Sequence, residues 1–372
     1  MKTIVLLLSA LLLSYSLRAQ LINDLASQKL AGQALDEIYS FNFTKAQSSI
    51  LQLEKKYAKH PVIPFLKAYK LSWEKMPLQK GIPEYTHYTQ YLLLSANYAD
   101  RLLKERKEDL EGTFFNMMVY GLLAMHEAEG GDFMTSLSYG KKSFSFMKKG
   151  FDLSNKYPDF HFSTGLYQYY AKQYPETHPI AKPFMNFFPG GDKTKGLWNM
   201  NQAVQKGEFS KIESLIYLNT IYAKYEQNHL LALHCAQQLV SKYPQNPFFQ
   251  MKYTEGLIFV GRYAEAELNL SKFASRTENL FSTSRDLFQG LIQEFYYKSD
   301  TKAKGFYTKV VQRKGYDPRY GRDYHAFAYG GLARIAHRNQ DDKSAKTYYK
   351  EALKIAEYEG LKTEAENFLK GS

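Results

Sequence analysis

A frame of small residues and aromatics recurs along this chain and restricts its fold more than any other feature. In its last occurrence Leu332, Ala333, Ala345, Tyr349 and Ala352 hold the marked positions. An earlier one reads Gly261-Arg262-Tyr263-Ala264-Glu265-Ala266, and the unit before it has Ala232, Ala236, Leu239 and Pro244 at matching offsets. Near the start, Phe43-Thr44-Lys45-Ala46 with Ile50, Leu53 and Pro61 repeats the theme. A small residue late in one helix and an Ala early in the next let two antiparallel helices approach closely, while the aromatic fills the gap toward the following pair. One pair alone leaves an apolar face bare, so the units must come in series. No run alternates long enough to suggest a sheet. The expected fold is all-α.

The helical pattern divides into about eight pairs. The first lies near residues 24 to 58, and the second begins at Pro61 and includes PEYTHYTQYLLLSANYADRLLKER. The third joins EGTFFNMMVYGLLAMHEAE to DFMTSLSYGKKSFSFMKKGFDLSNKY, split by Gly130-Gly131 and restarted by Asp132 as an N-cap. The fourth carries a Pro/Gly-rich insertion near residues 174 to 192. The fifth to eighth run from Phe209 to about Glu359, and a short helix from Leu361 to Leu369 caps the end. His60-Pro61, Tyr157-Pro158 and Tyr243-Pro244 close second helices, because the residue before Pro resists helical geometry.

These residues resemble the tetratricopeptide-repeat superfamily over nearly the whole of residues 20 to 372, read as a single helical-repeat domain. Within it, the segment from Phe114 to Pro247 is similar to a bacterial group remotely related to the tetratricopeptide repeat protein 39 family. The matching stretches are GLLAMHEAEGGDF, GLYQYY, PGGDKTKGL and ESLIYLNTIYAKYEQNHLLALHCAQQLVSKYPQNP. Gly121 and Gly140 depart from the ordinary unit by their spacing. The resemblance implies tetratricopeptide-like helix pairs stacked in a right-handed superhelix, with first helices lining a concave groove that holds peptides or partner proteins. It implies no catalytic residues. The first helices supply Phe114, Phe115, Tyr120, Tyr167, Tyr169, Tyr170, Tyr217, Tyr222, Phe248, Phe249 and Tyr253, some for the groove and most for the core.

Residues 1–19 have the layout of a signal peptide: Lys2, an apolar run from Ile4 to Leu13, and a polar tail ending Leu17-Arg18-Ala19. Cleavage is expected after Ala19, with a cut after Ser16 or an uncleaved anchor as alternatives. No Cys follows the run, so a lipobox anchor is absent, and no transmembrane segment is expected in the mature chain. The expected location is periplasmic or secreted. Losing Lys2 and Arg18, with no acidic residue in that segment, lowers the formal charge from +12 to +10. The excess of base concentrates between Lys302 and Arg338, where nine Lys and Arg residues meet only Asp317 and Asp323. That run reads as a solvated helix face or, alternatively, as a binding patch.

The central loop invites a phosphate-binding reading, since Gly191 and Gly196 satisfy G-x-x-x-x-G. Leu197 and Trp198 stand where Lys and Ser or Thr are needed, and no strand precedes, so it is not a Walker motif. Asp192 instead reads as the N-cap of a helix from Lys193 to Lys206, with Lys193 and Lys195 able to hold an anion at its start as a minority reading. Among nine His none has metal-pair spacing. Cys235, the single cysteine, reads as a buried thiol or the source of an intermolecular disulfide. No nucleophile motif or carboxylate pair has recognisable context.

The expected function is therefore a non-catalytic, exported scaffold that binds an envelope protein or peptide, without cofactor, metal or nucleic acid. The alternative is an aromatic-groove glycan or small-ligand binding protein of nutrient capture, with Tyr, Phe, Trp73 and Trp198 stacking on rings. The residues singled out for partner binding are Phe187, Phe188, Lys193, Lys195, Trp198, Tyr167 and Tyr170.

Overall fold

In a computed structural model the described residues are 20–371 except 152, 155, 180, 181, 186, 187, 316 and 318. The signal-peptide reading of residues 1–19 lies outside them, as does Phe187. Among the described residues every regular element is helical.

The helices pair in chain order, as the frame of small residues requires. Helices α1 (Leu25–Tyr39) and α2 (Phe43–Tyr57) form the first antiparallel pair, α3 (Val62–Glu74) and α4 (Pro83–Glu105) the second, α5 (Leu110–Glu129) and α6 (Phe133–Phe151) the third. In the fourth, α7 (Phe160–Thr177) packs on α9 (Lys193–Lys206), and the short α8 (Lys182–Met185) lies between them in sequence. Then follow α10 (Lys211–Lys224) with α11 (His229–Lys242), α12 (Pro247–Phe259) with α13 (Tyr263–Asn269), α14 (Asn279–Phe295) with α15 (Asp300–Gln312), and α16 (Gly321–Arg338) with α17 (Asp342–Ile355). Helix α18 (Glu359–Gly371) closes the stack against α17.

Local chemistry fixes the ends of these helices. Asp24, Asp109, Asn228, Asn246 and Asp341 each accept a first-turn amide of the helix they precede. Asp132 does the same for Thr135 at 3.0 Å, after Gly131 takes the positive φ of 80° that ends α5. The marked small residues are buried at the seams: Ala46, Ala236, Ala266, Ala345 and Ala352.

The fourth pair is the tightest crossing. A Cβ at Gly165 would lie 2.7 Å from the carbonyl oxygen of Gly196, and one at Gly196 would lie 2.7 Å from the amide of Tyr169. Gly191 sits still closer, with its absent Cβ 2.2 Å from the carbonyl oxygen of Gln168. The glycines that suggested a phosphate loop thus let α9 and its leader lie on the backbone of α7.

The stack curves far enough to meet itself. The loop between α11 and α12 returns to α1: Lys242 pairs with Asp36 at 2.9 Å, Tyr243 donates to the same carboxylate at 2.5 Å, and the Asn246 amide donates to the Tyr39 carbonyl at 2.9 Å. Trp73 fills this closure, its ring 5.5 Å from those of Tyr39 and Phe249. Trp73 is only 5% exposed, so it offers no face for stacking on a glycan ring. Cys235 is buried too, and burial pushes its thiol up to about 12, which suits an inert packing residue.

Candidate functional site

Closure makes the concave face a half-enclosed cavity of about 890 Å³. One wall is built by α5, α6 and α7. On α5, Phe114, Met118, Gly121, Leu122, Met125 and Glu129 recur at helical spacing and line it. Phe144 and Met147 of α6 and Phe162 and Leu166 of α7 continue an apolar surface rich in methionine, which adapts to irregular ligand shapes. Gly121 and Gly140, whose spacing departed from the ordinary repeat, face this space across the pair α5–α6. The departure widens the cavity.

The opposite wall is polar. Glu213, Tyr217, Thr220 and Lys224 form one stripe of α10, while Ile212, Leu215, Leu218 and Ile221 face the core. The segment leading into α16 adds Arg319 and Tyr320, the first turn of α16 adds Arg322, and Glu357 comes from the loop before α18. Lys224 lies 2.5 Å from Asp323 and 3.2 Å from Glu357. Burial works against its charge, but Asp323 holds its pKa above the ordinary lysine value. Arg322 pairs with Glu357. Arg319 lies 3.4 Å from Glu129 and donates to the Tyr217 hydroxyl at 3.0 Å. Burial and the charge of Arg319 together depress the neighbouring His126 to about 3, so that ring is neutral.

Glu213 differs from the other carboxylates of this wall. Tyr39 donates to its Oε1 at 3.0 Å, and Tyr69 donates to the same oxygen. Among the described residues no cation pairs with it. Burial raises its pKa to about 7, against the hydrogen bond from Tyr39 and the more distant charge of Arg319.

The residues singled out from sequence fall into two sets. Tyr167, Tyr170 and Phe188 line the cavity, and Phe188 meets Phe144 edge-on at 5.6 Å beneath the bond from the Tyr167 hydroxyl to the Pro189 carbonyl at 2.6 Å. Lys193, Lys195 and Trp198 lie outside it. Lys193 pairs with Glu176 at 2.8 Å, and the amide of Lys195 is taken by Asp192 at 3.0 Å. Trp198 is 55% exposed, with its edge toward His161.

Sequence reasoning missed Glu213, Lys224 and Glu357, and saw Arg319 and Arg322 only as members of the basic run from Lys302 to Arg338. For the first three, only the stripe on α10 left a trace, as polar residues at positions 213, 217, 220 and 224 within an apolar helix. The basic run from Lys302 to Arg338 is neither a plain solvated face nor an open patch. Besides the two cavity residues, Arg313 pairs with Asp286 at 2.5 Å, Arg334 with Glu294 at 2.8 Å, and Arg338 with Asp300 at 2.7 Å. These carboxylates lie 27 to 40 residues away in sequence, where a local charge tally does not reach.

The other motif residues have structural roles. Asp159 accepts from the amides of Phe209 and Ser210 at 2.9 and 2.8 Å, fixing the start of α10. His161 is bonded to Asn199 at 2.7 Å. Among the described residues no cluster has the donors to hold a metal, and no helix is long and apolar enough to cross a membrane.

No family model matches the chain, and no curated protein does. Solved structures do. A human IFIT1 dimer with PPP-AAAA is 14% identical, over 88% of this chain and 94% of that one, with a TM-score of 0.35. A monomeric IFIT1 mutant with m7Gppp-AAAA is 11% identical over 89% and 95%, with a TM-score of 0.36. The relation is a remote one of helical-repeat, tetratricopeptide-like architecture. These matches correct three expectations. The matched protein carries nucleic-acid ligands, against the exclusion of nucleic acid as a partner. The expectations of an exported envelope scaffold and of a periplasmic or secreted location gain nothing from these matches. The chain is read as non-catalytic.

Proposed function

We propose that this protein is a helical-repeat ligand carrier that takes an elongated small molecule into the interior of its superhelix. The observation that carries the reading is the cavity itself: about 890 Å³, apolar and methionine-rich on one wall, with fixed polar groups on the other. Half-enclosed sites of this size and character suit a small ligand with an apolar body and a polar end. A polyhydroxylated glycan would need more hydrogen-bonding partners than the α5–α7 wall supplies. Tyr167, Tyr170 and Phe188 belong to the proposed site; Lys193, Lys195 and Trp198 do not. Kinship of the segment from Phe114 to Pro247 with the tetratricopeptide repeat protein 39 family belongs to the same proposal, through GLLAMHEAEGGDF, whose helix supplies Gly121 and the apolar stripe.

Blocking the cavity without disturbing the fold tests this. A Cβ at Gly140 would meet only the Phe188 ring, at 3.6 Å, so a large side chain there projects into open space. The neutral apolar dye N-phenyl-1-naphthylamine is expected to bind the wild-type chain saturably, and Gly140→Trp to weaken it by about tenfold or more, with an unchanged far-ultraviolet circular dichroism spectrum. Equal affinity in the two proteins, or no saturable binding to either, would sink the proposal.

A further inference from the structure

Among the described residues of the cavity wall, Glu213 is a part-buried carboxylate on α10 with no cation partner. Lys224, Arg319 and Arg322 are already paired, with Asp323, Glu129 and Glu357. Among the described residues Glu213 receives only the two phenols of Tyr39 and Tyr69, on Oε1, and none donates to its Oε2. It lines the cavity, so this oxygen can be met by a ligand donor. Rings bound the same place: Tyr69 stacks on Phe65 at 6.1 Å, Tyr39 meets Tyr69 at 5.9 Å, and Tyr217 stands one helical turn from Glu213. A part-buried carboxylate with no cation of its own, set among aromatic side chains, is suited to an ammonium group, which gains from a charge-assisted hydrogen bond there. The Nε of Arg322 is also unpartnered, but it is sealed from the cavity and its guanidinium is already held by Glu357, so it offers nothing to an anion.

Resting on the ligand-cavity reading, we infer that the ligand is an amine: a protonated amino group docks on Glu213 between Tyr39 and Tyr69, and an apolar body extends along the methionine wall of α5.

The charged and titratable groups around Glu213 fix the expected pH response. Tyr39 from α1, Tyr69 from α3, Tyr217 from α10, Glu129 from α5 and Arg319 before α16 face it. Burial raises the pKa of Glu213 to about 7; it raises that of Glu129 as well, but there the charge of Arg319 opposes the rise. Protonating Glu213 removes the partner of the ammonium, so affinity for an amine should fall as pH drops through the Glu213 value.

Trp73 lies 5.5 Å from the Tyr39 ring, and the chain has two Trp residues, so Trp198→Phe leaves Trp73 as the reporter. Titrations of this full-length variant with dodecylamine, dodecanol and dodecanoate are read by Trp73 fluorescence. At about pH 8 dodecylamine should bind at least about tenfold more tightly than dodecanol, an advantage lost at about pH 5.5. Adding Glu213→Gln, which retains an oxygen for the two tyrosines, should weaken dodecylamine by about tenfold and dodecanol by far less. Dodecanol binding also reports that this variant folds, and the pH series on the unaltered carboxylate is independent of it. Equal binding of amine and alcohol, preference for dodecanoate, or amine binding indifferent to Glu213→Gln would overturn the amine assignment while leaving the cavity reading intact. Failure of all three probes to bind would overturn both.

Discussion

Replacing Gly196 with valine should cost about 3 kcal/mol or more of folding stability, because overpacking a seam made of backbone leaves nothing able to rotate aside. The added Cβ would lie 2.7 Å from the Tyr169 amide, 2.8 Å from the Tyr169 Cβ and 2.9 Å from the Gly165 carbonyl oxygen. Relief requires α9 to move off α7, and α7 carries Tyr167 and Tyr170 into the cavity. Urea unfolding should therefore show a lower midpoint, and binding of an apolar probe should weaken with it. Gly305→Ala is the control. Gly305 lies within α15 with nothing within 4 Å of its missing Cβ, so that change should stabilise by about 0.5 to 1 kcal/mol through helix propensity. Equal midpoints for Gly196→Val and wild type would refute the close-approach account.

The second large effect is expected at Lys224. Its ammonium is buried between Asp323 and Glu357, carboxylates that join α10 to α16 and to the loop before α18. Lys224→Met keeps the length of the side chain and removes the charge. Stranding buried carboxylates in this way costs about 3 to 5 kcal/mol, whereas removing both partners of a buried pair costs much less. Lys224→Met combined with Asp323→Asn should accordingly recover part of the loss, a coupling that a double-mutant cycle measures. The folded pKa of Lys224 lies above the ordinary 10.5. Its contribution is thus fully present below that value and is lost only as pH rises through the higher folded pKa. Across the neutral range wild type and variant should differ by a constant amount, as far as this lysine is concerned. A double mutant no more stable than Lys224→Met would mean that the carboxylates are satisfied without the lysine.

Both predictions turn on contacts that differ in how visible they were beforehand. Gly191 and Gly196 stood out in the sequence, and their spacing was enough to reject a nucleotide loop. Their actual use, seating α9 on α7, required knowing which backbone they face. Lys224 showed only as the last member of a polar stripe on an apolar helix, and Glu357 lies 133 residues further on.

What the sequence by itself determined is everything that acts within a helix or between adjacent helices. The small residues at the seams, the Asp and Asn caps, the Pro stops and the 3.6-residue apolar period are local, and they yielded an all-α stack of helix pairs in the correct order. What only the tertiary structure decided is where that stack meets itself. Superhelix curvature is the sum of small rotations at each pair-to-pair interface, and no single motif encodes the total. That total brings Asp36 to Lys242 and Glu129 to Arg319, turns the groove into a half-enclosed cavity, and places Glu213 beside two tyrosines from helices α1 and α3.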